Sequence, residues 1–261
     1  MKFAYLIEPP FNYVDARGHV TGCDVELARY ICKDLNVKFE PVETEFAQLL
    51  LGISAGLWHM TTGLFATDER RETASFSRPI WALSDGLLVR EGNPLDLGGY
   101  RSVAGHGDAR IAVVRDQVQH RSAIHLGVAE HQVAVFETYT EAAKAVLQGD
   151  VDAYASVARA HSGFLNQNPD WPVELVRVPP SEKPPAFGCF AFALQDDELR
   201  RDVDAVLEAF LGTSAHRDMI APFGFSDAEV ELICPPLQSQ SDAALAPHKA
   251  EATKSEPQHP D

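Results

Sequence analysis

Positive charge is scarce in this chain. Its 261 residues carry 22 Lys and Arg against 38 Asp and Glu, a formal net charge of −16. A nucleic-acid binder needs a basic face to neutralise phosphates, so that class is excluded, and adsorption to anionic lipid is disfavoured on the same ground. Long apolar runs are also missing: no stretch reaches the roughly 18 apolar residues of a membrane-spanning helix, so no membrane insertion is expected. Met1–Phe11 holds one Lys, its apolar stretch stops at Glu8-Pro9-Pro10, and no small-residue cleavage site follows. The folded domain is therefore read as starting at Met1, with two locations left open: export after removal of a leader, or the cytoplasm. Cysteine is sparse. Cys23, Cys32, Cys189 and Cys234 form no CxxC pair and no zinc spacing, so four unpaired thiols packed as small hydrophobes are expected; a Cys23–Cys32 disulfide is not specified by the sequence. There is no P-loop, no GxGxxG after a strand, no GxSxG and no HExxH. His106, His120, His125 and His131 lack paired ligand spacing, so neither a metal site nor a cofactor is expected.

What remains has an ordinary globular balance, 45% hydrophobic and 23% charged, in a chain long enough for two lobes with separate cores. Lys2–Ile7 reads as a strand, and Pro9-Pro10 ends it in a loop through Gly18. Val25, Ala28, Ile31, Cys32 and Leu35 recur at helical spacing, with Asp24 and Glu26 at the positive end of the dipole. A strand near Val37–Val42, a helix from Phe46 closed by Gly56, and a strand over Met60–Phe65 complete a first α/β unit. A second unit begins after Asn93-Pro94, with strands at Arg110–Arg115, Val133–Glu137 and Asp152–Ser156 and a helix over Glu141–Gln148 that stops at Gly149. A Pro-rich crossing from Pro179 to Pro185 precedes a strand over Phe187–Leu194. The helix marked by Leu199, Val203, Val206, Leu207 and Phe210 follows, and Ser226-Asp227-Ala228-Glu229 is a capping box. From Pro235 the pattern ends in a Pro-rich tail, expected to be disordered.

In open α/β sheets, ligands sit beyond the carboxyl ends of strands. Glu8–Phe11, the start of the Phe46 helix and Phe65–Arg70 occupy that place. An Arg fork grips a carboxylate through two charge-assisted bonds, aromatic faces attract a cation, and a carboxylate beside the rings complements an ammonium or amidinium. Together they suit a zwitterion. Taken singly, Arg70 belongs to a solvated charge run and each Phe to a core.

Pro-Pro-Phe at 9–11, Gly22-Cys23-Asp24-Val25-Glu26-Leu27-Ala28, Thr67-Asp68-Glu69-Arg70 and Phe76-Ser77-Arg78-Pro79 resemble the family 3 extracellular solute-binding proteins of ABC transporters. That resemblance spans residues 3–233 and implies two α/β lobes joined by two hinge strands near Leu87–Arg90 and Phe187–Phe192, of the periplasmic binding protein type II architecture. The implied lobes are 1–89 with 190–234, and 90–189, followed by the 235–261 tail. It also implies a non-enzymatic, periplasmic, monomeric protein that closes over a small zwitterionic ligand and hands it to an ABC permease, with Arg70 on the carboxylate.

Three positions depart from the usual amino-acid clamp of that family. Phe65 stands where Ser or Thr is usual, Asp116-Gln117-Val118 replaces a Gly-Thr/Ser pair, and Val157 replaces an acid. Glu8-Pro9-Pro10-Phe11, Thr44-Glu45-Phe46, Gly63-Leu64-Phe65, Gly92-Asn93-Pro94, Asp152-Ala153-Tyr154-Ala155 and Ala221-Pro222-Phe223-Gly224-Phe225 are instead similar to the ectoine/hydroxyectoine-binding branch. The cage implied by that branch is Phe11, Phe46 and Phe65, with Glu8 on the cation, and lobe-two contacts fall near Gln117 and Ser156. His59 stands where an Asp is usual, outside the implied contacts. Two rival readings accompany this one: an enzyme resembling cyclohexadienyl dehydratases with Glu8 as general acid, and a cytoplasmic ligand sensor.

Overall fold

The computed structural model describes residues 1–234, so the expected tail lies outside the described residues. The Lys2–Tyr5 strand is central in a parallel three-stranded sheet between Glu40–Glu43 and Met60–Thr61. Its loop turns back onto the Cys23–Asp34 helix, whose first amides are capped by it: Cys23 N–H donates to the Pro10 carbonyl at 3.0 Å and Asp24 N–H to the Phe11 carbonyl at 3.2 Å. These donors have no partner within the helix, so the loop is fixed by the helix it precedes. Gly22 makes this approach feasible. It has φ 128°, and a Cβ there would collide with the Phe11 carbonyl.

The expected Met60–Phe65 strand is two strands. Met60–Thr61 stays in the parallel sheet, and Leu64–Phe65 pairs antiparallel with Ala186–Cys189, which also pairs with Trp81–Leu83. The break has a local cause: the buried Asp24 carboxylate accepts from Thr62 Oγ1 at 2.6 Å and from Gly63 N–H at 2.8 Å. Thr62 N–H still donates to the Ala4 carbonyl at 2.8 Å, and Gly63 N–H is the first that the carboxylate takes out of the ladder. The expected Phe187–Leu194 strand is likewise divided, into Ala186–Cys189 and Ala191–Ala193, the latter paired with Ala74–Phe76. The strand expected at Val37–Val42 lies at Glu40–Glu43, and the Phe46 helix begins as a 3₁₀ turn before Leu49–Ser54.

The second lobe is built on a five-stranded sheet in the order Val133–Phe136, Ile111–Val114, Ala153–Val157, Asp85–Arg90, Val173–Arg177. The first three run parallel; Asp85–Arg90 is antiparallel to both neighbours. Leu87–Arg90, read as a crossing, therefore lies inside a sheet. Its buried Leu87, Leu88 and Val89 form a continuous apolar run, as a strand covered on both faces must. The helices Tyr100–Gly105, Val118–His125, Ala158–Gln167 and Ser214–Ile220 and the Val173–Arg177 strand add to the elements expected from the sequence. The Tyr139–Gln148 helix ends as expected on Gly149, at φ 80°, and Ser226 and Glu229 form the expected capping box.

The largest buried apolar cluster runs through both lobes, from Phe3, Phe11 and Trp81 to Tyr154, Val157 and Phe164. Gly163 of lobe two presses on the Pro9-Pro10 loop so closely that a Cβ would sit 2.5 Å from Pro10 N. The cleft is closed.

Candidate functional site

Six of the seven residues singled out from the sequence line one small inner pocket: Glu8, Phe11, Phe46, Phe65, Gln117 and Ser156. The seventh, Arg70, lines a wider outer chamber that shares Phe46, Leu64 and Gln117 with the inner one. An inner pocket thus opens outward past the guanidinium.

Arg70 is positioned by its own short helix, Asp68–Arg71, capped by Thr67. It is 7% exposed, so it is not part of a solvated charge run. Its Nη1 donates to the Phe65 carbonyl at 3.0 Å and its Nη2 reaches across the cleft to the Asp116 carbonyl at 2.8 Å. The guanidinium lies 5.3 Å from the centre of the Phe46 ring. Burial lowers its pKa to about 10, against the opposing charge of Asp116, and the group stays cationic at neutral pH. No carboxylate is paired with it among the described residues. Asp116 can offer its carbonyl because it adopts φ 62°, a left-handed conformation that Asp tolerates better than most residues.

Glu8 is the opposite pole. It is 9% exposed, its carboxylate accepts from Ser156 Oγ at 3.5 Å, and no cation pairs with it among the described residues. Burial pushes its carboxyl up to about 7; hydrogen bonds from Gln117 and Ser156 oppose the rise, and the Asp24 charge adds to it. A buried carboxylate without a counter-ion is costly unless something supplies the missing charge.

Between the poles stand aromatic rings, one of them not anticipated. Trp81 lies 5.4 Å from Phe11 and 5.5 Å from Phe65, ring centre to ring centre, and lines the same pocket. Its indole N–H donates to Asp24 at 3.0 Å, and its ring fills space left by Gly63 and Gly188, where any Cβ would overlap it. The carboxylate that breaks the Met60–Phe65 strand thus also orients this ring. Asp24 looked like a helix-dipole acid; no local pattern connects it to a Trp 57 residues away. Gln119, also missed, lines the pocket from the first turn of the Val118–His125 helix. Val157, where the amino-acid clamp has an acid, presents an apolar wall. His59 lies outside the pocket, its ring accepting from Lys2 N–H at 3.0 Å.

The profile of the bacterial extracellular solute-binding proteins, family 3, matches residues 2–225. The chain belongs to this family. It is 28% identical over 244 residues to a probable amino-acid ABC transporter periplasmic-binding protein of Sinorhizobium fredii, covering 89% of this chain and 79% of the relative. The hydroxyectoine-bound EhuB crystal structure matches with a TM-score of 0.79 and 28% identity over 90% of this chain and 94% of that one. An ancestral amino-acid-binding protein, AncCDT-1, described as a precursor of cyclohexadienyl dehydratase, shares the fold at 22% identity and a TM-score of 0.75, covering 85% of this chain and 94% of that one. The two-lobed α/β architecture of the family member is thereby established, as is its kinship with amino-acid-type ABC solute-binding proteins.

Proposed function

We propose that this protein captures a small zwitterion outside the cytoplasmic membrane, in the periplasm, and presents it as a monomer to an ABC permease. Arg70 takes the ligand's carboxylate. Phe11, Phe46, Phe65 and Trp81 enclose a delocalised or alkylated cation, Glu8 neutralises it, and Gln117 and Ser156 close the site from lobe two. The observation that carries this reading is the pair of unbalanced poles: a buried Glu8 without a cation and a buried Arg70 whose fork holds only backbone carbonyls. A zwitterion balances both, and closure strengthens each contact by excluding water. The likeness to hydroxyectoine-bound EhuB supports a compatible solute of the ectoine type over an ordinary L-amino acid, as do Phe65 and Val157 in place of the amino-acid clamp.

The lobes are proposed to exchange the chain near residues 84 and 186 rather than at 89/90 and 189/190, supported by the pairing of Asp85–Arg90 within the five-stranded sheet. Ectoine, hydroxyectoine, proline and arginine, each added to the purified protein, test the function by thermal shift, because a ligand bound only to the native state raises the melting temperature. At least one should raise it, and Arg70→Ala should abolish the rise. A full response in Arg70→Ala would contradict the clamp.

One observation favours a second reading. A buried carboxyl whose pKa is pushed up to about 7 suits a general acid, as in a dehydratase. Against it, Glu8 is the sole acid or base lining the inner pocket among the described residues. Turnover of prephenate or arogenate would favour the enzyme; no turnover together with ligand-induced stabilisation supports binding.

A further inference from the structure

Aromatic cages do not by themselves distinguish one cation from another. A quaternary ammonium and a protonated amidine both sit well against ring faces. The polar atoms of this pocket do distinguish them, because the donors of Trp81, Ser156 and Gln119 are already engaged. The Trp81 indole N–H is held by Asp24 at 3.0 Å. The Ser156 hydroxyl is directed at Glu8. The Gln119 amide nitrogen donates to Asp85 Oδ1 at 3.0 Å. Asp85 is itself fixed at the start of its strand, accepting from the Tyr100 hydroxyl and from Lys183 Nζ, each at 2.5 Å. An ion-paired carboxylate only accepts, so the NH₂ of Gln119 must face it and the amide oxygen must face away. Gln117 adds a second acceptor: its Oε1 is buried without any hydrogen-bond partner among the described residues. Gln117 and Gln119 are 6% and 3% exposed, so water does not readily satisfy either one.

Resting on the zwitterion reading above, we infer that Gln117 and Gln119 make the lobe-two wall a hydrogen-bond acceptor, so that the ligand's cation carries N–H donors and is not fully alkylated. The acceptors left to the ligand are Glu8, Gln117 Oε1 and Gln119 Oε1. A planar amidinium or guanidinium, or a secondary ammonium, supplies N–H groups towards them while its faces rest on the rings. A quaternary ammonium fills the same cage but leaves both amide oxygens buried and unpaired, and an unmade buried bond costs far more than a made one contributes. Asp85 is then a positioning residue. It touches no ligand; it decides which end of Gln119 the ligand meets.

Calorimetric titration of the whole chain with two sets of zwitterions tests this. Ectoine, arginine and proline carry N–H on the cation; proline betaine and glycine betaine carry none. The tightest member of the first set should exceed both betaines by about a hundredfold, on the order of tenfold for each unpaired acceptor. Gln119→Met should weaken the N–H ligand and tighten the betaines, narrowing the ratio by about tenfold. Asp85→Asn should narrow it as well, because the amide can then rotate; a merely structural role for Asp85 would weaken both sets equally. A betaine binding as tightly as every N–H ligand would overturn the inference. If that betaine still needed Arg70, as Arg70→Ala reports, the carboxylate clamp would stand and only the donor requirement would fall.

Discussion

The two walls of the cleft are built from different materials. Lobe one contributes Phe11, Phe65 and Trp81, packed on one another and anchored by Asp24, with Arg70 at the rim. Lobe two contributes amides, a hydroxyl and Val157, set on the ends of strands and one helix start. The first wall is an apolar surface held by its own ring packing and by the Asp24 hydrogen bond. The second offers hydrogen-bonding atoms whose directions are fixed from behind by the Asp85, Lys183 and Tyr100 contacts. On the proposed function, shape and charge are read mainly by lobe one, and donor–acceptor polarity by lobe two. Substitutions in the first wall should alter stability and affinity together; those in the second should alter selectivity.

The largest expected effect breaks the apolar wall. Trp81→Ala removes a buried ring from between Phe11 and Phe65 and leaves Asp24 short of a donor, and should lower stability by about 3–5 kcal/mol in urea unfolding. A loss below about 1 kcal/mol would show that the wall does not depend on this ring. Glu8 comes next. Its folded pKa of about 7 lies above its ordinary 4.5, so the native state holds the proton more tightly than the unfolded chain. The associated stability is fully present below pH 4.5 and is lost as pH rises to about 7, by about 3 kcal/mol at roughly 1.4 kcal/mol per unit. Glu8→Gln should flatten this profile, matching the parent at pH 4 and exceeding it at pH 8 in the absence of ligand. Parallel profiles would place the strain elsewhere.

The smallest effect lies outside the cleft. Arg159, at the start of a lobe-two helix, pairs with Glu229 and sits 5.0 Å from the Phe225 ring, whose other neighbour is the cage residue Phe11 at 6.3 Å. The Asp227–Ile233 helix that bears Glu229 packs on the Trp81–Leu83 strand, so this pair ties the lobes together behind the site. Glu229→Gln should weaken affinity about threefold for every ligand alike, because it shifts closure and touches no ligand. A change confined to one class of ligand would show that the pair acts on the pocket itself.

The same contrast explains what the sequence disclosed. Arg70, Glu8 and the three Phe lie within short segments next to strand ends, so local pattern and family likeness located them. Trp81 and Gln119 depend on contacts between distant segments: Asp24 with Trp81, and Asp85 with both Gln119 and Lys183, 34 and 98 residues away. No period or motif encodes those pairings. Likewise, the sequence pattern marks the first unit as α/β but not the break in its third strand, because the Asp24 carboxylate that interrupts it acts from another element. A fully buried run looks alike in a crossing and in a central strand, and Leu87–Arg90 is part of the Asp85–Arg90 strand of the five-stranded sheet.

Proton release on binding tests the central claim most directly. At pH 6 the free Glu8 is mostly protonated, and a cation placed against it must displace that proton. Titrating the tightest zwitterion in buffers of different ionisation enthalpy should reveal release of close to one proton per ligand at pH 6, falling towards zero at pH 8 and absent in Glu8→Gln. Tight binding with no proton release at pH 6 would contradict the placement of the ligand's cation against Glu8.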